Sequence, residues 1–260
     1  MAAIETAIGK VGIVERGSGG TPLILLHGVG SDKSVWDPQL EAFGGQRRTI
    51  ALDYPGYGES ELWPEARRDD FARAVLAALD ALAIPRAHIC GLSLGGVVAI
   101  AISAIAPERC ASLILADSFA AHPDGAGIYH RSIEASRTTG MRGLAEARAG
   151  ILLGAAASAD LRASVIATMG RIDPAAYAIG ARAVWLADQT DRASAIHAPT
   201  LVLVGEEDRV TPPALSEQLA ALIAGSHLVV LPSAGHLSNA EQPEPFNRAI
   251  AEFLSEIDPI

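Results

Sequence analysis

Short apolar runs that alternate with helical stretches are the feature that most constrains the fold of this chain. The runs PLILLHG (22–28), AHICG (87–91) and PTLVLVGEED (199–208) are rich in aliphatic residues and close on glycine or an acidic residue, which is typical of buried strands. The same pattern predicts further strands over 110–118 and 226–232 and within 47–58, and helices over 64–83, 94–106, 212–225 and 244–257. This alternation predicts an α/β fold with a mostly parallel central sheet and helices on both faces.

The segment from Ala121 to Asp191 breaks the alternation. It contains no clear strand, only Ala- and Arg-rich helical stretches interrupted by glycines and by Pro123 and Pro174. A helical segment inserted between two strands of one sheet is best interpreted as a lid over the strand ends. We therefore predict a single domain over residues 1–260 with a helical lid over 121–191, called the helical insertion below.

Composition narrows the possible functions. The chain has 260 residues, half of them hydrophobic, so it can bury one large core. A net charge of −10 without any block of basic residues argues against nucleic acid and anionic membrane as partners. Cys90 and Cys110 lie in apolar runs, which predicts free buried thiols. Because the histidines and cysteines lack ligand spacing and no dinucleotide fingerprint occurs, we expect neither a metal nor a cofactor.

The N-terminal sequence bears on the location of the protein. The first twenty residues have neither a basic start nor an apolar stretch of signal-peptide length, and no run of 18 apolar residues occurs without a charge or a helix breaker. These patterns predict a cytoplasmic protein. We expect its partner to be a small molecule, and the sequence leaves open whether the chain is a monomer or a homodimer.

The most specific motif lies between a predicted strand and a predicted helix. Gly91-Leu92-Ser93-Leu94-Gly95 matches the nucleophile-elbow pattern G-x-S-x-G, and its context of strand, turn and helix is the one this motif requires. A serine at such a sharp turn exposes its hydroxyl, and the flanking glycines let neighbouring backbone approach without a clash of Cβ atoms. The alternative is a serine that caps an ordinary strand-to-helix turn. The context favours Ser93 as a nucleophile.

A serine nucleophile needs a histidine held by an acid. Of the seven histidines, His236 lies in the glycine-containing loop PSAGHLSNAEQPE (232–244) after the last predicted strand, from which it can reach the elbow. Asp208 closes the penultimate strand, between the serine and the histidine in chain order, and is the preferred acid. Asp117, which ends the strand before the helical insertion, is the alternative acid.

An oxyanion hole completes the predicted machinery. The amide of Leu94 follows the nucleophile at a helix N-terminus, where the helix dipole favours negative charge. A second amide should come from the glycine-containing loop after the strand that ends at His27, and Val29 is the candidate. Only the backbone of Val29 would take part, so its side chain would be free to vary.

The motifs described above resemble those of the α/β-hydrolase superfamily. The resemblance covers nearly the whole chain outside the helical insertion, and the C-terminal part is most similar to 3-oxoadipate enol-lactonases and related small lactone and ester hydrolases. It implies an α/β-hydrolase fold, a Ser93–Asp208–His236 triad, an acyl-enzyme and a role in the degradation of aromatic compounds. The motifs that carry it are His27–Gly30, DYPGYGES (53–60), 91–95, GEEDRVTPP (205–213), AGHLSN (234–239) and EQPE (241–244).

Two other functions stay open. The C–C hydrolases that act on aromatic ring-fission products resemble the chain broadly, but they usually carry an aromatic residue after the catalytic histidine, where this chain has Leu237. A non-catalytic small-ligand receptor on the same fold is the third alternative. The helical insertion also lacks the Trp-Phe stretch associated with the lactonases, so the resemblance specifies the triad better than it specifies the substrate.

The substrate pocket is the least constrained part of the sequence interpretation. Seven arginines of the helical insertion could bind a substrate carboxylate with a bidentate geometry. Large apolar residues of the insertion and of the loop after the first strand could line an apolar pocket or pack in the core. The candidates for substrate contact are Trp36, Tyr129, Arg131, Met141, Trp185 and Leu237.

Overall fold

Eight strands form one sheet in the computed structural model, which describes residues 2–258. The strand order across the sheet is β1-β2-β4-β3-β5-β6-β7-β8, with the first two strands antiparallel to their neighbours and the other six parallel. The predicted mostly parallel sheet is thus confirmed. The strands are β1 (Ala2–Thr6), β2 (Gly9–Arg16), β3 (Leu23–Leu26), β4 (Thr49–Leu52), β5 (Ala87–Leu92), β6 (Cys110–Ala116), β7 (Thr200–Gly205) and β8 (His227–Leu231).

The central strands are buried on both faces, which explains their continuous apolar sequences. Every residue of β3, β4, β5 and β7 is buried, because helices cover both sides of the sheet. Cys90 and Cys110 are buried free thiols within this core. The helices outside the insertion are α1 (Asp37–Gly44), α2 (Arg68–Ala81), α3 (Leu94–Ile105), α8 (Pro213–Leu222), α9 (Ser238–Glu241) and α10 (Pro243–Ile257).

Four helices follow one another between β6 and β7, where the sequence predicts the helical insertion. They are α4 (Gly125–Leu152), α5 (Ala159–Gly170), α6 (Pro174–Trp185) and α7 (Thr190–Ser194). Helix α4 packs against α5 and α6, and α6 packs in turn against α2 and α3 of the core. The backbone of Gly140 is non-helical (φ 70°, ψ 174°) and divides α4 into two parts.

Two features of the fold differ from the sequence interpretation. The N-terminal segment forms the antiparallel pair β1–β2 at the edge of the sheet, where no strand was predicted. The last helix of the insertion ends at Ser194, three residues beyond the predicted boundary at Asp191. None of the helices within residues 2–258 is both long and apolar enough to span a bilayer.

Candidate active site

Ser93 occupies the sharp turn between β5 and α3. Its backbone has φ 56° and ψ −112°, a conformation that residues with a Cβ rarely adopt, and Leu94 is the first residue of the helix. The turn is packed too tightly for side chains at its glycines: a Cβ on Gly91 would lie 2.1 Å from the carbonyl oxygen of Gly95, and a Cβ on Gly95 would lie 2.1 Å from that of Leu26. The strained geometry predicted for an elbow serine is therefore present.

His236 and Asp208 form a buried pair. The Nδ1 atom of the imidazole lies 2.8 Å from Oδ2 of the carboxylate, and the side chains are 5% and 0% exposed. Burial disfavours protonation of His236, but the charge of Asp208 and the hydrogen bond to it outweigh burial and raise the pKa of the imidazole above its usual value. Since Nδ1 is engaged by Asp208, Nε2 remains for exchange of a proton with a substrate or a nucleophile.

The Asp208 carboxylate accepts three hydrogen bonds besides its contact with His236. Its Oδ1 atom accepts hydrogen bonds from the amides of Val210 (2.7 Å) and Thr211 (2.9 Å), while the Thr211 hydroxyl donates to Oδ2 at 2.7 Å. The same hydroxyl oxygen lies 3.2 Å from Nδ1 of His236. Burial opposes ionisation, but the interactions with His236 and the bonds from Thr211 lower the pKa of Asp208 below its usual value. Asp208 is thus held as the anion that a protonated imidazole requires.

Asp117, the alternative acid, has other partners. Its Oδ1 atom accepts from the amide of Gly205 at 2.8 Å, and its Oδ2 atom lies 2.5 Å from the Ser238 hydroxyl. The side chain is fully buried, and burial together with the charge of Asp208 raises the pKa of Asp117 to about 8. Among the described residues, the carboxylate bonded to His236 is that of Asp208. Asp117 instead links the end of β6 to the end of β7 through its bond to the Gly205 amide.

The candidate oxyanion loop follows β3. Val29 is buried, and its carbonyl oxygen accepts a 3.1 Å hydrogen bond from the hydroxyl of Tyr57. The His27 ring packs between Tyr54 and Tyr57, with centroid distances of 4.6 and 5.1 Å, and its Nδ1 atom lies 2.8 Å from the carbonyl oxygen of Gly28. His27 therefore shapes the loop. The amide of Leu94 has no partner within its own helix, because it is in the first turn of α3.

Ser93 and His236 line one cavity of about 210 Å³ between the sheet and the helical insertion. No hydrogen bond among the described residues joins the Ser93 hydroxyl to the imidazole. The wall is mostly apolar, with a few hydroxyl groups, and Arg148 is the one permanently charged side chain among its described residues. The cavity is lined by Gly28–Ser31, Ser34, Val35, Pro38, Leu92, Ser93, Arg148, Leu152, Leu161, Ser164, Val165, Thr168, Met169, Trp185, His236, Leu237 and Ala240.

Of the six residues that the sequence suggests as substrate contacts, two line the cavity in the structure. Trp185 and Leu237 line the cavity, whereas the other four do not belong to its wall. Trp36 is fully buried against Phe246, and Met141 is buried among the packed residues of the insertion. Arg131 is 67% exposed and forms an ion pair with Asp124 at 2.6 Å. Tyr129, near the N-terminal end of α4, is partly buried against the core, and its ring neighbours that of His130.

Two groups at this site were not singled out from the sequence. Thr211 lies three residues after Asp208, before Pro212 and Pro213, and a hydroxyl residue at that spacing in a turn is a signal for a bond to the preceding carboxylate. Arg148 was one of seven equivalent arginines, since helical spacing shows which residues share a face but not whether that face borders a cavity. Among these seven arginines, the structure places only Arg148 in the cavity wall.

The family comparison agrees with this geometry. The model of the alpha/beta hydrolase fold family matches residues 21–243, which include the elbow, the Asp208 loop and His236. The chain belongs to the α/β-hydrolase fold family. As this family implies, the sheet carries the nucleophile candidate after β5 and the acid and histidine candidates after β7 and β8.

Individual relatives cover nearly the full length of the chain. It is 29% identical to 3-oxoadipate enol-lactonase 1 of Acinetobacter baylyi, over 90% of this chain and 89% of that protein. It is 31% identical to RutD of Variovorax paradoxus, a protein assigned as a carbamate hydrolase, over 92% and 93%. Among solved structures, a thermophilic esterase from Thermogutta terrifontis superimposes with a TM-score of 0.91 at 30% identity, covering 98% of each chain. The similarity to 3-oxoadipate enol-lactonases predicted from the tail motifs is confirmed.

Proposed function

We propose that this α/β hydrolase cleaves small lactones or carboxylic esters through a Ser93–His236–Asp208 triad. The observation that carries the proposal is the pair of a strained elbow serine and an aspartate-bound histidine on the wall of one cavity. The relatives named above act on, or are assigned to, an enol-lactone, an ester or a carbamate, and in each the bond broken joins an acyl carbon to a heteroatom.

The reaction would proceed through an acyl-enzyme. His236 Nε2 takes the proton of the Ser93 hydroxyl while Oγ bonds to the substrate carbonyl carbon and the carbonyl electrons move to oxygen. Collapse of this intermediate breaks the bond to the leaving oxygen, which receives the proton from His236. In a lactone the leaving oxygen stays on the same molecule. Water, deprotonated by His236, then releases the carboxylate and regenerates Ser93. The Ser93–His236 contact would tighten when substrate binds, as is common for catalytic hydrogen bonds.

Two backbone amides would stabilise the negative charge on the substrate oxygen. The amide of Leu94 begins α3, and the amide of Val29 lies in the loop beside Ser93 on the cavity wall. Each such donor is worth roughly 2.7–4 kcal/mol in the transition state. Replacement of the Val29 side chain by another of similar size should leave the reaction intact, because only the backbone of this residue takes part.

Arg148 narrows the substrate class. It lies on the last turns of α4, half-buried, with its guanidinium carbon 6.0 Å from the ring centroid of Trp185, and the ion pairs within residues 2–258 do not include it. A cation on an otherwise apolar wall favours a substrate that carries a carboxylate away from the reacting carbonyl. We therefore propose that Arg148 binds the substrate carboxylate. The sequence alone could have given this role to any of the seven arginines of the insertion.

A substrate panel tests the proposal. Purified protein and the Ser93→Ala variant are assayed with γ- and δ-lactones, with neutral chromogenic esters, with esters that carry a free carboxylate, and with vinylogous 1,5-diketones. Turnover of lactones or esters that is lost in the variant is expected. Turnover of the diketones alone would favour C–C hydrolysis, and saturable binding without turnover by either protein would favour a receptor.

The role of Arg148 has its own control. Arg148→Gln should raise KM for carboxylate-bearing esters by about tenfold, the loss of one charge-assisted contact, and should leave neutral esters unchanged. Arg142→Gln, on the same helix but 78% exposed and paired with Glu146, should change neither. Equal loss on neutral and anionic esters would assign Arg148 a packing role.

A further inference from the structure

The end of helix α4 touches the backbone of the histidine loop. The amide of His236 donates a 2.8 Å hydrogen bond to the carbonyl oxygen of Leu152, whose side chain lines the cavity. The two segments meet at backbone distance, because a Cβ on Gly235 would lie 2.5 Å from the amide nitrogen of Gly154. A main-chain hydrogen bond thus joins the histidine loop directly to the C-terminal end of α4.

The carboxylate of Glu241 is hydrogen-bonded to both of these segments. Oε1 of Glu241 accepts hydrogen bonds from the amides of Gly235 (3.0 Å) and Leu237 (3.2 Å), the two neighbours of His236 in sequence. Oε2 of the same side chain accepts from the amide of Gly154 at 2.7 Å. Glu241 therefore joins the helical insertion to the residues on either side of the imidazole.

The residues that flank Asp208 bind the same part of the insertion. Glu207 accepts a 2.7 Å hydrogen bond from the amide of Ala155. Arg209 donates to the carbonyl oxygens of Gly150 (2.5 Å) and Leu153 (3.0 Å), at the C-terminal end of α4, where cations are favoured by the helix dipole. Residues 150–155, called the brace below, are thus hydrogen-bonded to both sequence neighbours of the candidate acid and to the histidine loop.

We propose that Glu241 is a positioning residue that fixes the His236 imidazole relative to Asp208 through the brace. This inference rests on the proposed function, since it assigns a task to the same triad. Glu241 itself touches no reacting atom: its three acceptor contacts all go to main-chain amides. Its removal would leave those amides without partners at a partly buried site and would let the histidine loop move away from the brace.

Two variants separate positioning from charge. Glu241→Gln and Glu241→Ala remove the same negative charge, but Gln keeps one oxygen, which can accept from the amides of Gly235 and Leu237, while its NH2 group cannot accept from the amide of Gly154. Positioning predicts that Ala lowers kcat on a neutral ester on the order of 100-fold with little change in KM, and that Gln, which keeps the two bonds that flank His236, shows a clearly smaller loss. The matched controls Glu244→Gln and Glu244→Ala alter an exposed residue three positions further on and should match the wild type.

A second readout does not require turnover. The pKa of His236 is measured by NMR on protein with ¹⁵N-labelled histidine, and the melting temperature is recorded for each variant. The expected result is a pKa that moves towards the unperturbed value of about 6.5 in Glu241→Ala and moves less in Glu241→Gln. Equal shifts in the two variants would show a direct effect of charge. A lower melting temperature with kcat and the His236 pKa unchanged would show a purely structural role. Either outcome overturns the proposal.

The two readouts distinguish failure of this inference from failure of the proposed function. If the wild type turns over no ester or lactone, the proposed function fails, while the titration of His236 still decides whether Glu241 positions the ring. If Glu241→Ala does not fold, Glu207→Ala replaces it, because this variant removes the acceptor of the Ala155 amide beside Asp208 and leaves the bonds of Glu241 intact. A wild-type His236 pKa and a wild-type kcat in Glu207→Ala would then refute the role of the brace and, with it, the proposal.

Discussion

Lys33 donates twice to the carboxylate of Asp53, through its backbone amide at 2.8 Å to Oδ1 and through its ammonium group at 2.5 Å to Oδ2. The Asp53 side chain is fully buried and that of Lys33 is 5% exposed. The ammonium group also contacts the Glu59 carboxylate, and these partners raise the pKa of Lys33 against the effect of burial. The pair fastens the end of the loop that carries Val29 to the end of β4.

Loss of the Lys33 charge should therefore destabilise the protein. Lys33→Met leaves the Asp53 carboxylate buried without its counter-ion, and breaking a buried pair in this way costs about 3–5 kcal/mol. Urea denaturation should show that loss in the free energy of unfolding, and the double variant with Asp53→Asn should recover part of it because the buried charge is gone. Lys10→Met, at the other and exposed lysine, is the control. A wild-type unfolding free energy for Lys33→Met would contradict this interpretation.

The two candidate acids should respond differently to the same substitution. Asp208→Asn removes the anion that orients His236 and balances its charge, so kcat should fall by about 10³–10⁴-fold. Burial and the charge of Asp208 raise the pKa of Asp117, which favours its neutral form, and Asp117→Asn keeps an oxygen that can accept from the Gly205 amide. Its kcat should stay within a few-fold of the wild type. Steady-state kinetics on one ester at pH 7 compares the variants, and the reverse ranking would move the acid to Asp117.

The pH dependence follows from the environment of the imidazole. In the proposed reaction His236 acts as the base and must be neutral for attack, so kcat/KM should rise as the pH increases through the His236 pKa. Burial alone would place that midpoint below the usual value, but the Asp208 interactions raise the pKa, so the midpoint should lie above pH 6.5. Profiles from pH 5 to 9 with a neutral ester, together with the labelling rate of Ser93 by a phosphonate, measure it. A midpoint below 6.5 would mean that burial outweighs the carboxylate.

Local patterns predicted the parts of the site that a short segment of chain determines. The strained turn at Ser93 needs only a strand, two glycines and a helix, all adjacent in sequence, so the motif located it. The parallel core was equally accessible, because strands buried on both faces have continuous apolar sequences. In contrast, β2 shows no clear alternation of buried and exposed residues. Its place in the sheet comes from pairing with β1 and β4, which the local sequence does not reveal.

The cavity wall and the brace depend on contacts between distant segments. Arg148 and Arg131 share one helix and the same chemistry, yet one lines the cavity and the other forms an exposed ion pair with Asp124. Trp36 has the size expected of a pocket residue, but its ring fills the core beside Phe246. The hydrogen bond between Glu241 and Gly154 joins residues that are 87 positions apart in the sequence. Local sequence patterns do not show which distant residues meet, so these contacts can be identified only from the folded structure.

Thr211 provides the most sensitive test of the acid–base pair, because its hydroxyl donates to Asp208 at 2.7 Å and lies 3.2 Å from Nδ1 of His236. Thr211→Val keeps the shape of the side chain and removes one charge-assisted hydrogen bond, worth about 1.5–3 kcal/mol, from a fully buried carboxylate. The pKa of Asp208 should rise and kcat/KM should fall by about 10- to 100-fold. Thr211→Ser keeps the hydroxyl and should retain most of the activity in the same assay. If Thr211→Ser loses activity while Thr211→Val keeps it, the methyl group of Thr211, and not its hydrogen bond, supports the pair.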